Sequence, residues 1–214
     1  WPIYPSLGES MWQRTPLKGN GPRALATCGD HIHVAEYYSD TVAVVSAKES
    51  SATLTRTIAL GPEPIMTPER RGPMLFDDAR ICYQHWQSCA SCHPDGRADA
   101  LNWDLMNDGV GNSKNSKSML LSHRTPPAMA EGVRDSAEAA VRAGIVHSLF
   151  ASRPEDEAAA IDAYLKSLKP VESPYRLESG ELSAAAQRGK QLFHSDRVSC
   201  VTCHPAPLFN DRRQ

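Results

Sequence analysis

Cys89-Ala90-Ser91-Cys92-His93 is a Cys-x-x-Cys-His run, and the chain repeats it as Cys200-Val201-Thr202-Cys203-His204. On a helical turn, residues three and four apart share a face. Both sulfurs then project from one side, with the histidine over the first cysteine. That arrangement suits a c-type haem, in which two cysteines form thioethers with the vinyl groups on one porphyrin edge and the histidine binds iron. Cys89, Cys92, Cys200 and Cys203 are therefore the expected attachment residues, His93 and His204 the expected proximal ligands, and two covalently bound haems the expected cofactors. Paired Cys-x-x-Cys units also build four-thiolate zinc sites. Here the pairs lie far apart, and each is followed by His and then Pro (Pro94, Pro205), which zinc does not require. A thioredoxin-like redox pair calls for a βαβ pattern around the motif, and none is read here.

Composition narrows the partners. The chain has 214 residues, enough for one core or two small ones. Lys+Arg 23 against Asp+Glu 25 gives a formal charge of −2. With no basic run, nucleic acid and membrane surfaces are not expected, and small molecules or a redox partner protein are. No run reaches the ~18 apolar residues of a membrane span. No signal peptide is read and the chain opens at Trp1, as expected of a processed product or a fragment. Covalent haem attachment in bacteria takes place outside the cytoplasm, so the expected location is periplasmic or otherwise extracytoplasmic. Cys28 and Cys82 stand outside the motifs; a disulfide between them suits that compartment, and two separate thiols suit it equally.

Residues 1–21, rich in Pro, Gly and aromatics, read as irregular or edge structure. β-prone runs follow at 23–27, 32–36, 41–45 and 54–58, separated by Gly29-Asp30, Ser39-Asp40 and the stretch 48–51. They predict a four-stranded antiparallel meander. The text from Gly21-Pro-Arg-Ala-Leu-Ala through Val34-Ala-Glu-Tyr-Tyr-Ser-Asp-Thr-Val-Ala-Val-Val45 to Thr57-Ile-Ala-Leu-Gly61-Pro resembles one blade of a YVTN-type β-propeller. A lone blade can neither bury both faces nor close a ring. The resemblance therefore implies further blades, on missing segments or other chains. His31 and His33 read as surface or cradle side chains.

Residues 62–68 form a proline-rich linker, with Thr67 as N-cap and Pro68 at the first position of a helix expected to run through Met74, Leu75, Phe76, Ala79, Ile81 and Cys82. Arg71-Gly72-x-x-Leu75-Phe76 precedes the first motif as Arg188-Gly189-x-x-Leu192-Phe193 precedes the second, an internal repeat. Glycine gives room for close approach, and Leu-Phe a face for packing haem. A long loop after His93 suggests a task, such as wrapping the haem edge or holding a propionate through Arg97; a solvated or salt-bridged Arg97 is equally compatible. Helices are expected over 135–150, with Ala139, Ala140, Ala143, Val146 and Phe150 inward, over 154–168, and over 183–193.

From Thr67 onward the chain resembles the diheme cytochrome c peroxidase and MauG-like family. The matching text is Ser88-Cys-Ala-Ser-Cys-His93 with Asp95-Gly-Arg97, Thr125-Pro-Pro127 at the family's Asn-x-Pro turn, and Arg188-Gly-Lys-Gln-Leu-Phe193 leading to Cys200-Val-Thr-Cys-His204 and Pro207-Leu-Phe209-Asn-Asp211. The resemblance implies two cytochrome c folds. Where the family's peroxidases carry Trp-x-Gly-Arg after the Pro turn, this chain reads Glu131-Gly-Val-Arg134. Distal ligands decide whether an iron carries electrons or reacts. For the first haem His123 is expected first and Met129 second, ahead of Met119 and Met106; His85, His147 and His194 read as packed or exposed side chains. The second haem's distal ligand is expected from a missing segment or a partner.

The expected fold class is α+β: a blade-like β segment over 1–61, a mainly helical haem domain over 62–174, and the start of a second over 175–214. The expected function is electron transfer through two haems. The alternatives are a peroxidase-type or MauG-like oxidoreductase, reducing hydrogen peroxide or oxidising a partner, and an interaction module in which the haems are structural. No catalytic residue is assigned.

Overall fold

The computed structural model describes residues 14–48, 51–106 and 109–212. The irregular start expected over 1–21 falls outside the described residues up to 13, and 14–21 are coil and bends. The chain divides into two compact units, residues 1–70 and 71–214.

The first unit is an antiparallel meander in which β1 (Pro22–Cys28), β2 (His31–Glu36), β3 (Thr41–Lys48) and β4 (Ser51–Ala59) lie side by side in chain order. The β-branched runs and the Gly29-Asp30 turn produce this order; Cys28 pairs with His31 directly across that turn, and Gly29 adopts a φ of +56°. Val34, Ala43 and Val45 form the small core, with Leu17, Ile32, Ala52 and Leu54 around it. Residues 43 to 45 of the inner strand β3 are buried in succession, and pairing to β4 shifts between Val44 and Val45, leaving Thr55 without an opposite residue in the ladder. Glu36, 1% exposed, accepts from Gly19 N at 2.7 Å and Thr41 Oγ1 at 2.7 Å, so the buried carboxylate is satisfied. Strand β1 is exposed along its length.

Helix α1 (Pro68–Asp77) begins as the Thr67-Pro68 text predicts, with Thr67 Oγ1 accepting from Arg70 N at 3.3 Å. It stops short of the expected Cys82. Asp78 leaves the helix at ψ 108° and its carboxylate caps the following 3₁₀ turn, Ala79–Ile81, by accepting from Arg80 N. The competition between side chain and backbone for the amide wins here. After the motif helix α2 (Cys89–Cys92), a two-residue ladder pairs β5 (Asn102–Trp103) with β6 (Lys114–Asn115). Helices α3 (Ala137–His147) and α4 (Glu155–Ser167) then pack together, and α5 (Ala184–Phe193) follows.

Leu75, Phe76, Ile81, Cys82, Val141, Ile145, Leu149, Ala158, Ile161 and Leu165 make the second unit's core, with Cys89, Ala90 and Met119 against it. The inward face of α3 matches the expected one at Ala143, which is buried, and departs from it elsewhere. Ala137, Val141 and Ile145, continued by Leu149, are buried, while Val146 is 50% and Phe150 46% exposed. The branched residues at four-residue spacing define the stripe; the alanines fit either face. Cys82 is buried in the second unit and Cys28 is exposed on the first.

Candidate functional site

The first motif is a helical turn because Ser88 and Ser91 cap it reciprocally, Ser88 N donating to Ser91 Oγ at 3.0 Å. His93 closes the turn, its N–H bonding the Cys89 carbonyl at 3.0 Å. Asp95 and Gly96, at φ 51° and +67°, then reverse the chain. A side chain at Gly96 would place Cβ 2.5 Å from Leu168 Cδ1, so glycine is required there on both counts. The reversal brings the Arg97 carbonyl to 3.2 Å from His93 Nδ1, and the Lys117 carbonyl lies at 2.9 Å from the same atom. A carbonyl can only accept, so Nδ1 carries the proton and Nε2 keeps its lone pair. In the neutral ring this orientation presents Nε2 in the way a metal-binding histidine does.

The second motif repeats the device on less structure. His204 N bonds the Cys200 carbonyl at 3.0 Å, and Nδ1 donates to the Phe209 carbonyl at 3.0 Å, again leaving Nε2 as the donor atom. Phe193 stands beside it, 6.5 Å from the His204 ring and 5.8 Å from Phe209 between centroids. Leu192, Val198 and Phe209 are exposed.

The donor set fits haem better than zinc. Burial pushes the Cys89 thiol up to about 12, and Cys92 is also raised, by burial and then by Asp99. A thioether carries no charge and suits this buried setting. Among the described residues no group of three His, Cys, Asp or Glu converges as a metal site, so the two Cys-x-x-Cys units do not meet. Arg97 donates to the Lys169 carbonyl at 3.3 Å through one Nη, while its Nη1 is buried without a hydrogen-bond partner. An unpaired buried guanidinium nitrogen is costly, and a carboxylate such as a haem propionate fits it.

His123 is placed differently from His93. Its side chain is 5% exposed and Nε2 lies 3.0 Å from Asp162 Oδ1, on α4, itself 6% exposed; Nδ1 lies 3.4 Å from Ser122 Oγ. Arg142 binds the other Asp162 oxygen and also Glu155. To bind iron through Nε2, His123 has to leave Asp162. Met129, half-buried, opens the turn Ala130–Gly132 with φ 70°. Sequence reasoning passed over two residues here. Asp162 lies on the inward side of an amphipathic helix, where an acid among alanines was the available signal. Asp99 accepts from Leu101 N at 2.9 Å, from Trp103 Nε1 at 2.8 Å and from Ser116 Oγ, and these bonds, Ser116's first, hold its carboxyl below the usual range.

No family model matches the chain. It is similar to the hydrazine synthase subunit gamma of Kuenenia stuttgartiensis, 32% identical over 157 residues. The match takes in 67% of this chain and 44% of that protein, so the chain spans less than half the relative's length. A solved structure of K. stuttgartiensis hydrazine synthase, pressurised with xenon, superposes at a TM-score of 0.61 and 27% identity over 68% of this chain and 52% of that one. A MauG-like protein associated with microbial copper homeostasis gives a TM-score of 0.45 at 21% identity over 73% of this chain and 55% of that one, too low to bear on the fold. The Cys-x-x-Cys-His turns with their carbonyl-oriented histidines, together with the likeness to hydrazine synthase subunit gamma, support a c-type cytochrome with covalently bound haem.

Proposed function

We propose that the protein is a diheme c-type cytochrome that passes electrons through two covalently bound haems to a redox partner protein, outside the cytoplasm. The observation that carries this is the shared treatment of His93 and His204, each donating Nδ1–H to a carbonyl so that Nε2 is left to bind iron. Bound haem supplies a one-electron iron couple. Cys89, Cys92, Cys200 and Cys203 hold the two groups, and Arg97 Nη1 offers a partner to a propionate of the first. On this reading 62–174 and 175–214 are two cytochrome-type domains, and the second buries Leu192, Val198 and Phe209 once its haem is in place. The meander is read as one propeller blade, supported by its strand order and by a β1 that is exposed throughout.

A second reading, a peroxidase-type or MauG-like oxidoreductase acting at the first iron, is favoured by the Asp162 bond that occupies His123 Nε2. The similarity to a subunit of hydrazine synthase points the same way. On that reading His123 stays with Asp162 and the distal side admits a small ligand; on the first, His123 or Met129 closes it.

One preparation distinguishes the readings. A pyridine haemochrome assay of the holoprotein is expected to give two haems per chain, falling to one on Cys89→Ser/Cys92→Ser and, separately, on Cys200→Ser/Cys203→Ser. Zero haem, or an unchanged count in either variant, refutes the assignment. EPR of the same sample is expected to show low-spin iron at the first site for the carrier, and a high-spin signal with peroxide turnover for the enzyme.

A further inference from the structure

The Asp99 side chain bonds both sides of the loop between His93 and Met119. Asp99 Oδ1 accepts from Leu101 N at 2.9 Å and from Ser116 Oγ, and Oδ2 accepts from Trp103 Nε1 at 2.8 Å. Its own N–H donates to the Cys92 carbonyl at 3.2 Å, inside the attachment motif. The β5–β6 ladder, Asn102 opposite Asn115 and Trp103 opposite Lys114, rises from this point, and Ser116 N returns to the Leu101 carbonyl at 3.0 Å. The next residue is Lys117, whose carbonyl receives the His93 Nδ1 proton at 2.9 Å. Asp99 therefore links the motif helix, through its backbone N–H at Cys92, to both sides of the ladder, through its carboxylate, and the shorter of the two carbonyl contacts on His93 lies next to the Ser116 that this carboxylate anchors.

We propose that Asp99 is a positioning residue for the first haem: by clamping Ser116, Leu101 and Trp103 to the Cys92 end of the motif, it seats the Lys117 carbonyl on His93 Nδ1 and so sets the reduction potential of that iron. A histidine whose remote N–H is bonded to a carbonyl is more basic toward its metal, which favours the oxidised state. Loosening the carbonyl lowers that basicity and shifts the equilibrium toward reduced iron. His204 instead takes its carbonyl from Phe209 in its own short loop, away from Asp99, so the second haem serves as an internal reference.

The inference rests on the haem reading above, and the experiment separates the two. Holoprotein carrying Asp99→Ala is first counted for haem, then titrated by optical spectroelectrochemistry. The expected result is two haems per chain, with the first haem's reduction equilibrium displaced roughly tenfold toward the reduced form, the lower end for a second-sphere partner of a metal ligand and ~59 mV for a one-electron couple, while the second haem stays in place. Ser116→Ala, which deletes a single bond of the clamp, is expected to move the same wave in the same direction by less. It carries the test if Asp99→Ala does not mature. Asp104→Ala is the control for general loosening, because Asp104 accepts from Gly111 N at 2.8 Å within the same loop but touches neither Ser116 nor the motif. Full haem content with an unmoved first wave overturns the role of Asp99, as does an equal shift in Asp104→Ala or an equal shift of both waves. Absence of covalent haem in the unsubstituted protein overturns the haem reading instead.

Discussion

His93 and His123 differ in what their ring nitrogens touch, and that difference assigns them separate tasks. His93 spends Nδ1 on carbonyls of its own loop, at 2.9 and 3.2 Å, and keeps Nε2 for a metal. His123 spends Nε2 on Asp162. The turn that carries His93 was legible in the sequence, because the Cys-x-x-Cys-His spacing fixes geometry within one turn. The contact of His123 was not, because Asp162 arrives from a helix far along the chain and only packing brings it to His123. The network reads as a buried cluster in which Asp162 is the shared anion of Arg142 and His123. Asp162→Ala is expected to lower holoprotein stability by about 3 kcal/mol, near the bottom of the range for breaking a buried pair because Arg142 is partly exposed. Urea unfolding followed by far-UV circular dichroism measures it. A loss below about 1 kcal/mol contradicts the burial argument, and a changed first-haem spectrum in Asp162→Ala shows that His123 is free to move onto the iron.

Among the elements, α1 and α5 share the text Arg-Gly-x-x-Leu-Phe but not its use. In α1 the glycine is where another helix comes close: a Cβ at Gly72 would meet the Ala160 carbonyl oxygen at 2.2 Å and Tyr164 Cβ at 2.6 Å, while Arg71 pairs with Asp156 at 2.6 Å and Glu157 at 3.4 Å on the same helix, α4. Phe76 continues the contact, edge-on to Tyr164 with centroids 5.2 Å apart. At Gly189 a Cβ would have nothing within 4 Å. The repeat was visible in the sequence; which copy is packed was not, since the partner residues belong to α4 alone. Gly72→Ala is therefore expected to destabilise the protein by about 1–3 kcal/mol through overpacking against backbone, whereas Gly189→Ala is expected to be neutral or to stabilise by up to about 1 kcal/mol through helix propensity. Thermal unfolding of the two holoproteins side by side checks the contrast, and equal effects refute it. The face of α3 follows the same logic at lower cost: alanines satisfied the expected stripe, but Val141, Ile145 and Leu149 have the larger apolar surface and take the core.

Across the molecule, what could be read in advance was local. The meander, the N-cap at Thr67, the helical turn at Cys89 and the α+β class depend on neighbours within a few residues, and each stands in the structure. Long-range partners, Asp99 to Ser116 and Asp162 to His123, depend on a tertiary arrangement that periodicity does not encode. The same long-range polar contacts set how the protein meets acid. Glu138 on α3 is held down to about 2, from an ordinary value of 4.5, first by its hydrogen bond to Lys166 on α4 at 2.8 Å. Asp156 is lowered by Arg71 and Asp99 by Ser116. A carboxylate whose folded-state pKa is depressed contributes stability above its unfolded value, and that contribution is lost as pH falls toward the folded one. The second unit should thus hold its stability above about pH 4.5 and lose it progressively down to about 2. Glu138→Gln removes one carboxylate from that balance and is expected to flatten the decline between those limits while leaving the high-salt curve little changed, because an exposed pair is screened. An acid titration monitored by circular dichroism at low and high salt measures both, and an acid limb as steep in Glu138→Gln as in the unsubstituted protein assigns the decline to other carboxylates.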